Sequence, residues 1–419
     1  MSATCGLWAT LSQRLADTVV HQYASSWPLW GRRIMGLALS PILLAGYGLD
    51  RLIGKRDDTL DKRDHRPQVA CWRAIEDRHA RREIHGVHTR MQFEDAFKNR
   101  KVLVTGGLGF IGATLAHRLV GLGAQVTLVD SLIPEYGGHL HNILGIEDQV
   151  QMNISDVRDS HAMKYLVRDK DYLFNLAGQT SHMDSMEDPY TDLDINCRSQ
   201  LFILEACRNH NPDIQIVFAS TRQIYGKPDY LPVDERHPLR PVDVNGINKM
   251  AGEWYHILYN NVHGIRACAL RLTNTIGPRM RVKDARQTFL GIWLRLLVEG
   301  KPFEVWDGHQ KRDYTYVDDA TDAFLMAAAS ENANGQIYNL GGPGVHTLQE
   351  TAQILVDVNG SGTFEVKQFP PDRKKIDIGD FYADYFLIKS GLGWEPKVKL
   401  PEAFEKTLAY YRQSLRNYL

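Results

Sequence analysis

The sequence lacks a dominant charge: 49 Lys and Arg face 50 Asp and Glu, for a formal net charge of -1. Without a field of one sign there is no general pull toward nucleic acid, and none is expected as a partner. Cysteine is sparse. The five, Cys5, Cys71, Cys197, Cys207 and Cys268, are scattered without metal-ligand spacing. Neither a disulfide framework nor a metal site is expected, and a reducing, cytoplasmic compartment is favoured. A bilayer-spanning run is also missing. The most apolar stretch, Ile34 to Leu49 (IMGLALSPILLAGYGL), is about 16 residues long where about 20 are needed. Pro41 breaks it, and Asp50 and Arg51 close it. The start has no basic segment running straight into an apolar one, as a secretory signal would. What is present is ordinary globular composition, 43% hydrophobic and 24% charged over 419 residues. That excludes a wholly disordered or collagen-like chain and leaves room for roughly two to three domains.

Residues 1–98 differ from the rest and read as an N-terminal extension. Arg32 and Arg33 precede the apolar stretch; Arg51, Lys55 and Arg56 follow it; Trp27 and Trp30 stand upstream. Two readings fit residues 27–52. One is a helix lying on a membrane surface, peripheral at the inner face, with its aromatics at the interface. The other is a hydrophobic hairpin packed on the main domain or a partner subunit, which the short, broken run favours. Residues 53–98 mix charges of both signs (KRDDTLDKRDHRPQ, EDRHARREIHG), the pattern of a solvated linker with some helix.

Organised structure is expected from Lys101. KVLVTGGLGFIGATLAHRLVGLGAQVTLVD, Lys101 to Asp130, reads as strand, glycine turn, amphipathic helix and second strand, a βαβ unit. Gly106 permits the sharp turn, Gly109 lets backbone approach a pyrophosphate, and Gly112 lets helix and strand pack closely. Phe110 and Ile111 open a helix whose first N–H groups face that pyrophosphate. Asp130, about 20 residues on, is placed to accept from the adenosine ribose hydroxyls and to repel a 2′-phosphate, which favours NAD over NADP. Strand-like runs at Asp171–Leu176 and Ile214–Ser220, with helical stretches at Cys197–Arg208 and Lys249–Val262, extend the alternation into a doubly wound parallel sheet. Residues 287–301 read as an amphipathic helix with Trp293, Leu296 and Leu297 on a core face.

From Lys101 onward, about three quarters of the chain resembles the extended short-chain dehydrogenase/reductases, specifically the NAD-dependent nucleotide-sugar epimerases and dehydratases. TGGLGFIG, ISDVRD, NLAGQTSHMDSMEDPYTDLDIN, FASTRQIYG, RLTNTIGPRM, KRDYTYVDDATDAF and LGWEPKVKLPEAFEKTLAYYR follow in the family's order. The resemblance implies an α/β Rossmann-type domain over 99–272 and a smaller, mainly nucleotide-sugar-binding domain over 273–419 that returns to the sheet. It implies NAD contacts from Gly106, Gly109, Phe110, Ile111, Gly112, Asp130, Asp156, Val157, Ala177, Gly178, Gln179, Asn196 and Lys249. It implies substrate contacts from Gln179, Thr221, Asn274 and Arg312. Arg222 is added as a bidentate fork for a substrate carboxylate or phosphate, and Arg281 from the basic cluster after Asn274. A homodimer is implied, through helices near Gln200 and Lys249.

The family's chemistry is transient oxidation of a sugar carbon with a Ser/Thr, a Tyr and a Lys in a Y-x-x-x-K pattern. Here the stretch is Val244-Asn245-Gly246-Ile247-Asn248-Lys249. Thr221 and Lys249 match, but Asn245 stands at the Tyr position, and a carboxamide has no usable pKa as a base. Three explanations stay open. Another group takes the proton (Lys249 with a depressed pKa, Tyr225 or His182); Asn245 positions substrate while water relays the proton; or the chain binds NAD and a nucleotide sugar without catalysis. The expectation is an epimerase or dehydratase with a modified catalytic set of Thr221, Asn245 and Lys249. The alternative is a non-catalytic sensor or scaffold.

Overall fold

A computed structural model describes residues 95–419 apart from Gln287; the expectations for 27–52 and for nearly all of 53–98 lie outside the described residues. The first half alternates strand and helix: β1 (Lys101–Thr105), α1 (Phe110–Gly121), β2 (Gln125–Asp130), β3 (Val150–Ile154), α2 (Ser160–Leu166) and β4 (Tyr172–Asn175). It continues through α3 (His182–Glu187), α4 (Pro189–Leu193), α5 (Ser199–His210), β5 (Gln215–Thr221), α6 (Val244–His263) and β6 (Arg266–Leu272). A late strand, Ile337–Asn339, joins beside β6, so the order is Ile337–Asn339, β6, β5, β4, β1, β2, β3. Every pairing in this sheet is parallel.

Both faces of the sheet are covered, and the sequence shows it as continuous apolar runs. In β1, Val102 and Val104 enter one core with Leu115 and Leu119 of α1, while Leu103 enters the opposite core with Met163, Ile203 and Leu204. That alternation is the two-residue period of a strand. The doubly wound parallel sheet expected from the sequence is therefore present. Strand order reverses between β1 and β4, and in such sheets the crevice at that switch holds the ligand.

The later elements include β7 (Asn274–Ile276), α7 (Phe289–Val298), β8 (Phe303–Trp306), β9 (Lys311–Tyr316), α8 (Val317–Ala328), β10 (Ile337–Asn339, the late strand), β11 (Val345–Thr347), α9 (Leu348–Asn359), β12 (Phe364–Lys367) and, past two short helices, α10 (Leu400–Ser414). Most of them pack a second core around Trp293, Leu294, Leu297, Phe303, Leu355 and Phe404. Two small sheets, β11-β9-β7 and β12-β8, frame it. α8 and β10 return to the large sheet: Phe324 and Leu325 pack in the same core as Val102 and Val104.

Candidate active site

The carboxyl ends of β1, β2, β4 and β5 open on a cavity of about 250 Å³. Its floor is the glycine turn. Gly106 has φ of +67°, and a Cβ on Gly112 would lie 2.1 Å from the Gly106 carbonyl oxygen. Nothing larger than glycine fits at 112 without moving that turn. Gly109 is the N-cap of α1 and brings no side chain to it, which leaves the helix N-terminus open to an anion. Asp130 braces the loop: its Oδ2 accepts from Leu108 N–H at 3.0 Å and its Oδ1 from Leu132 N–H at 2.9 Å. Burial raises its pKa above the usual carboxylate value. Asp156 grips Arg158 through Nη2 at 2.7 Å. Burial works to raise its pKa, but the hydrogen bonds and charge of Arg158 prevail and lower it. Phe110, Ile111, Val157, Ala177, Gly178 and Gln179 line the same cavity. The bare glycine cradle, the uncapped helix and the acid ending β2 fit a dinucleotide.

At the far end stand Thr221, Asn245 and Lys249, all on the cavity wall. Thr221 ends β5, and its hydroxyl accepts from Gln223 N–H at 3.3 Å. Asn245 is 3% exposed and fully occupied as a donor. Its amide nitrogen donates to the Gln179 carbonyl at 2.7 Å and to Asp192 Oδ2 at 3.0 Å. Asp192 also accepts from Asn196 at 3.0 Å and from Asn248 at 2.8 Å. Asn196 thus lies behind the wall, in a π-turn over Asp194–Arg198, and not on it. Lys249 donates to the Ala219 carbonyl at 3.2 Å and sits 5.1 Å from the centre of the Phe218 ring. A Cβ at position 178 would meet its Nζ at 2.7 Å, so Gly178 makes room for it. Burial lowers the Lys249 pKa to about 8, with Asp192 pulling the other way.

A second cavity, of about 600 Å³, adjoins the first; His182, Arg222, Gln223, Asn274 and Thr288 line both. Arg312 and Gln310 from the β8–β9 region and Phe289, Trp293 and Leu296 from α7 line only the second. Trp293, expected on a core face, does both: it is buried against Phe303, with ring centroids 5.1 Å apart, and it lines the cavity. Arg222 Nη2 donates to Asn274 Oδ1 at 3.0 Å, while its Nη1 is buried without a partner. Arg312 lies 3.6 Å from Asp377 and has a buried, unpartnered Nε. Burial and the neighbouring Arg312 lower the Arg222 pKa to about 9. Asp313, which feels the charge of Arg222, accepts from Gly342 and Ala383 N–H groups, both at 3.2 Å; burial raises its pKa to about 6. Arg281 is on neither wall: it grips Asp284 through Nε at 2.7 Å and Nη2 at 2.5 Å.

The chain is similar to known proteins. The model of the NAD dependent epimerase/dehydratase family matches residues 102–341. A putative UDP-glucose 4-epimerase of Methanocaldococcus jannaschii is 32% identical over 319 residues, 75% of this chain and 99% of its own length. UDP-glucuronic acid decarboxylase 1 of Xenopus tropicalis is 29% identical over 76% of this chain and 74% of its own. Among solved structures, UDP-glucose 4-epimerase of Thermotoga maritima superposes with a TM-score of 0.68 at 27% identity, covering 75% of this chain and 99% of that one. UDP-glucuronic acid 4-epimerase of Bacillus cereus, with UDP-glucuronic acid and NAD, superposes with a TM-score of 0.68 at 26% identity, covering 75% and 99%. The chain belongs to the NAD dependent epimerase/dehydratase family. It is an enzyme of that type, and NAD is its cofactor.

Sequence reasoning did not single out Asp192, Asp243, Gln310 or Asp313. Two had signals. Asp243 stands immediately before the helix carrying Asn245, an N-cap position. Asp192 is four residues before Asn196, one helical turn.

The buried Lys249 gives a measurable consequence. Its folded pKa of about 8 lies below the ordinary lysine value of 10.5. Between those values the unfolded chain binds the proton more, so this group's contribution to stability rises with pH from 8 to 10.5, and its destabilisation is complete below 8. At about 1.4 kcal/mol per pKa unit this is on the order of 3 kcal/mol. Lys249→Met is expected to raise Tm of the cofactor-free protein at pH 7, with the gain shrinking toward pH 10, and to weaken NAD binding in calorimetry. A variant less stable than wild type at every pH contradicts this.

Proposed function

We propose that the chain interconverts or dehydrates a nucleotide-diphosphate sugar through a transient keto sugar. One observation carries this reading: Arg222 and Arg312, each with a buried N–H that has no partner, line one cavity, and that cavity shares a wall with the glycine-floored one. Two guanidiniums with free donors match a diphosphate, which offers several anionic oxygens. The apolar side supplied by Phe289, Trp293 and Leu296 suits a nucleoside. The sugar then falls on the shared wall, near Thr221. Bound NAD supplies the hydride acceptor. Thr221 offers its hydroxyl to the reacting oxygen, and Lys249, buried beside Gly178, orients the cofactor's ribose. Relatives named for UDP-sugar and dTDP-sugar chemistry support the class, and their spread leaves the base and sugar to experiment.

Incubation with UDP-, GDP-, CDP- and dTDP-sugars, followed by NMR, tests the reading. At least one sugar is expected to turn over, and Arg312→Leu to raise its KM by roughly 30-fold or more, as loss of a buried charge contact does. Clean binding without turnover of any of these sugars would contradict the reading.

We also infer a homodimer. α6 exposes Ile247, Trp254 and Leu258, each 50%, and Val262, 63%, on one stripe at helical spacing. Large apolar groups in a line on one helix suit a second copy of the same helix. Light scattering should give a dimer for wild type and a monomer for Trp254→Glu; a monomeric wild type contradicts the inference.

A further inference from the structure

We propose that His182, oriented by Asp243, is the acid–base group that stands in for the missing tyrosine; the inference rests on the nucleotide-sugar reading above. A sugar that joins a diphosphate in one cavity to a hydride acceptor in the other must cross the wall the two share. That wall is His182, Arg222, Gln223, Asn274 and Thr288. Gln223, Asn274 and Thr288 do not ionise near neutrality, and Arg222 keeps its proton there. His182 is the wall's one imidazole, a side chain that both donates and accepts a proton.

Its setting suits that role. His182 Nδ1 lies 3.0 Å from Asp243 Oδ2; the imidazole is 36% exposed and the carboxylate fully buried. Asp243 is held ionised. Burial opposes its charge, but the hydrogen bonds from His182, the Gly246 N–H and Gln223 prevail and bring its pKa below the usual value. Its Oδ1 accepts from Gly246 N–H at 2.7 Å, capping α6, and its Oδ2 also accepts from Gln223 at 3.1 Å. A carboxylate fixed in this way binds Nδ1–H and leaves the Nε2 lone pair open to a substrate. Asp184, two residues on, is spent on Arg286 at 2.9 Å, and Arg222 stands on the same wall.

The two rival bases are placed differently. Lys249 lines the cofactor cavity alone. Tyr225 lines neither; its buried hydroxyl donates to Asn339 at 2.7 Å and accepts from Arg271 at 2.6 Å. In the oxidation a C–H bond of the sugar breaks and its electron pair passes to the oxidised nicotinamide. The hydroxyl proton goes to Nε2, leaving a C=O and an imidazolium that faces Asp243. Return of the same hydride and proton restores the alcohol. His182 is the catalytic residue; Asp243 is a positioning residue.

Two measurements test this. The first is ¹⁵N NMR of histidine-labelled protein with NAD⁺, assigning His182 by its absence from His182→Gln. Wild type is expected in the Nδ1–H tautomer, with the Nε2 signal moving when UDP-glucose is added, and Asp243→Asn, which keeps the helix cap, is expected to populate Nε2–H. The second is kinetics on whichever sugar the wild type turns over. His182→Gln should lose about 10²- to 10⁴-fold in kcat, with KM and UDP affinity within about threefold. An Nε2–H tautomer in wild type, or kcat of His182→Gln within a few fold of wild type, overturns the proposal. Failure of wild type to turn over any sugar strikes the proposed function instead, and the tautomer then decides the His182–Asp243 assignment by itself.

Discussion

One buried carboxylate ties the active site together. Asp243 caps α6, whose first turns carry Asn245 and Lys249, and it accepts from Gln223, just past the end of β5, and from His182 at the start of α3. Three elements far apart in sequence thereby share one charge. Removing a buried ionised partner of this sort leaves its donors unsatisfied, which is why such groups set geometry as well as stability. Two of the wall's five residues, His182 and Gln223, are held by this carboxylate.

Asp192 does similar work behind the wall, and it accounts for the residue at 245. Its carboxylate takes carboxamide donors from Asn196, Asn245 and Asn248, while Asn245 also reaches the Gln179 carbonyl. A tyrosine at 245 has one hydroxyl proton to offer and could not supply both contacts. The carboxamide therefore stabilises the pocket from within and leaves proton transfer to a group elsewhere. Asn245, expected as part of the catalytic set, has its amide committed to this network.

The fold was legible because its signals are local. Val102 to Val104 alternate between two cores, and Gly106, Gly109 and Gly112 mark backbone positions where a side chain would collide. Such constraints act within about 30 residues of chain, the length of a βαβ unit. The site was legible only where it follows those strand ends, as with Thr221, Gly178 and Asp130. His182 and Asp243 meet across 61 positions of sequence, Asp192 and Asn245 across 53, and no local period announces either meeting. Arg281 shows the converse. It sits in the basic cluster that suggested phosphate, yet Asp284, three residues on, has taken its guanidinium.

The account stands on two cavities meeting at one wall, with cofactor in one and nucleotide in the other. A crystal structure with NAD⁺ and UDP-glucose tests that most directly. The account predicts pyrophosphate on the turn at Gly106–Gly112, the UDP diphosphate within hydrogen-bonding distance of Arg222 and Arg312, and the sugar against Thr221 and His182. A nucleotide sugar bound away from both arginines, or a glycine turn closed to the cofactor, would contradict it.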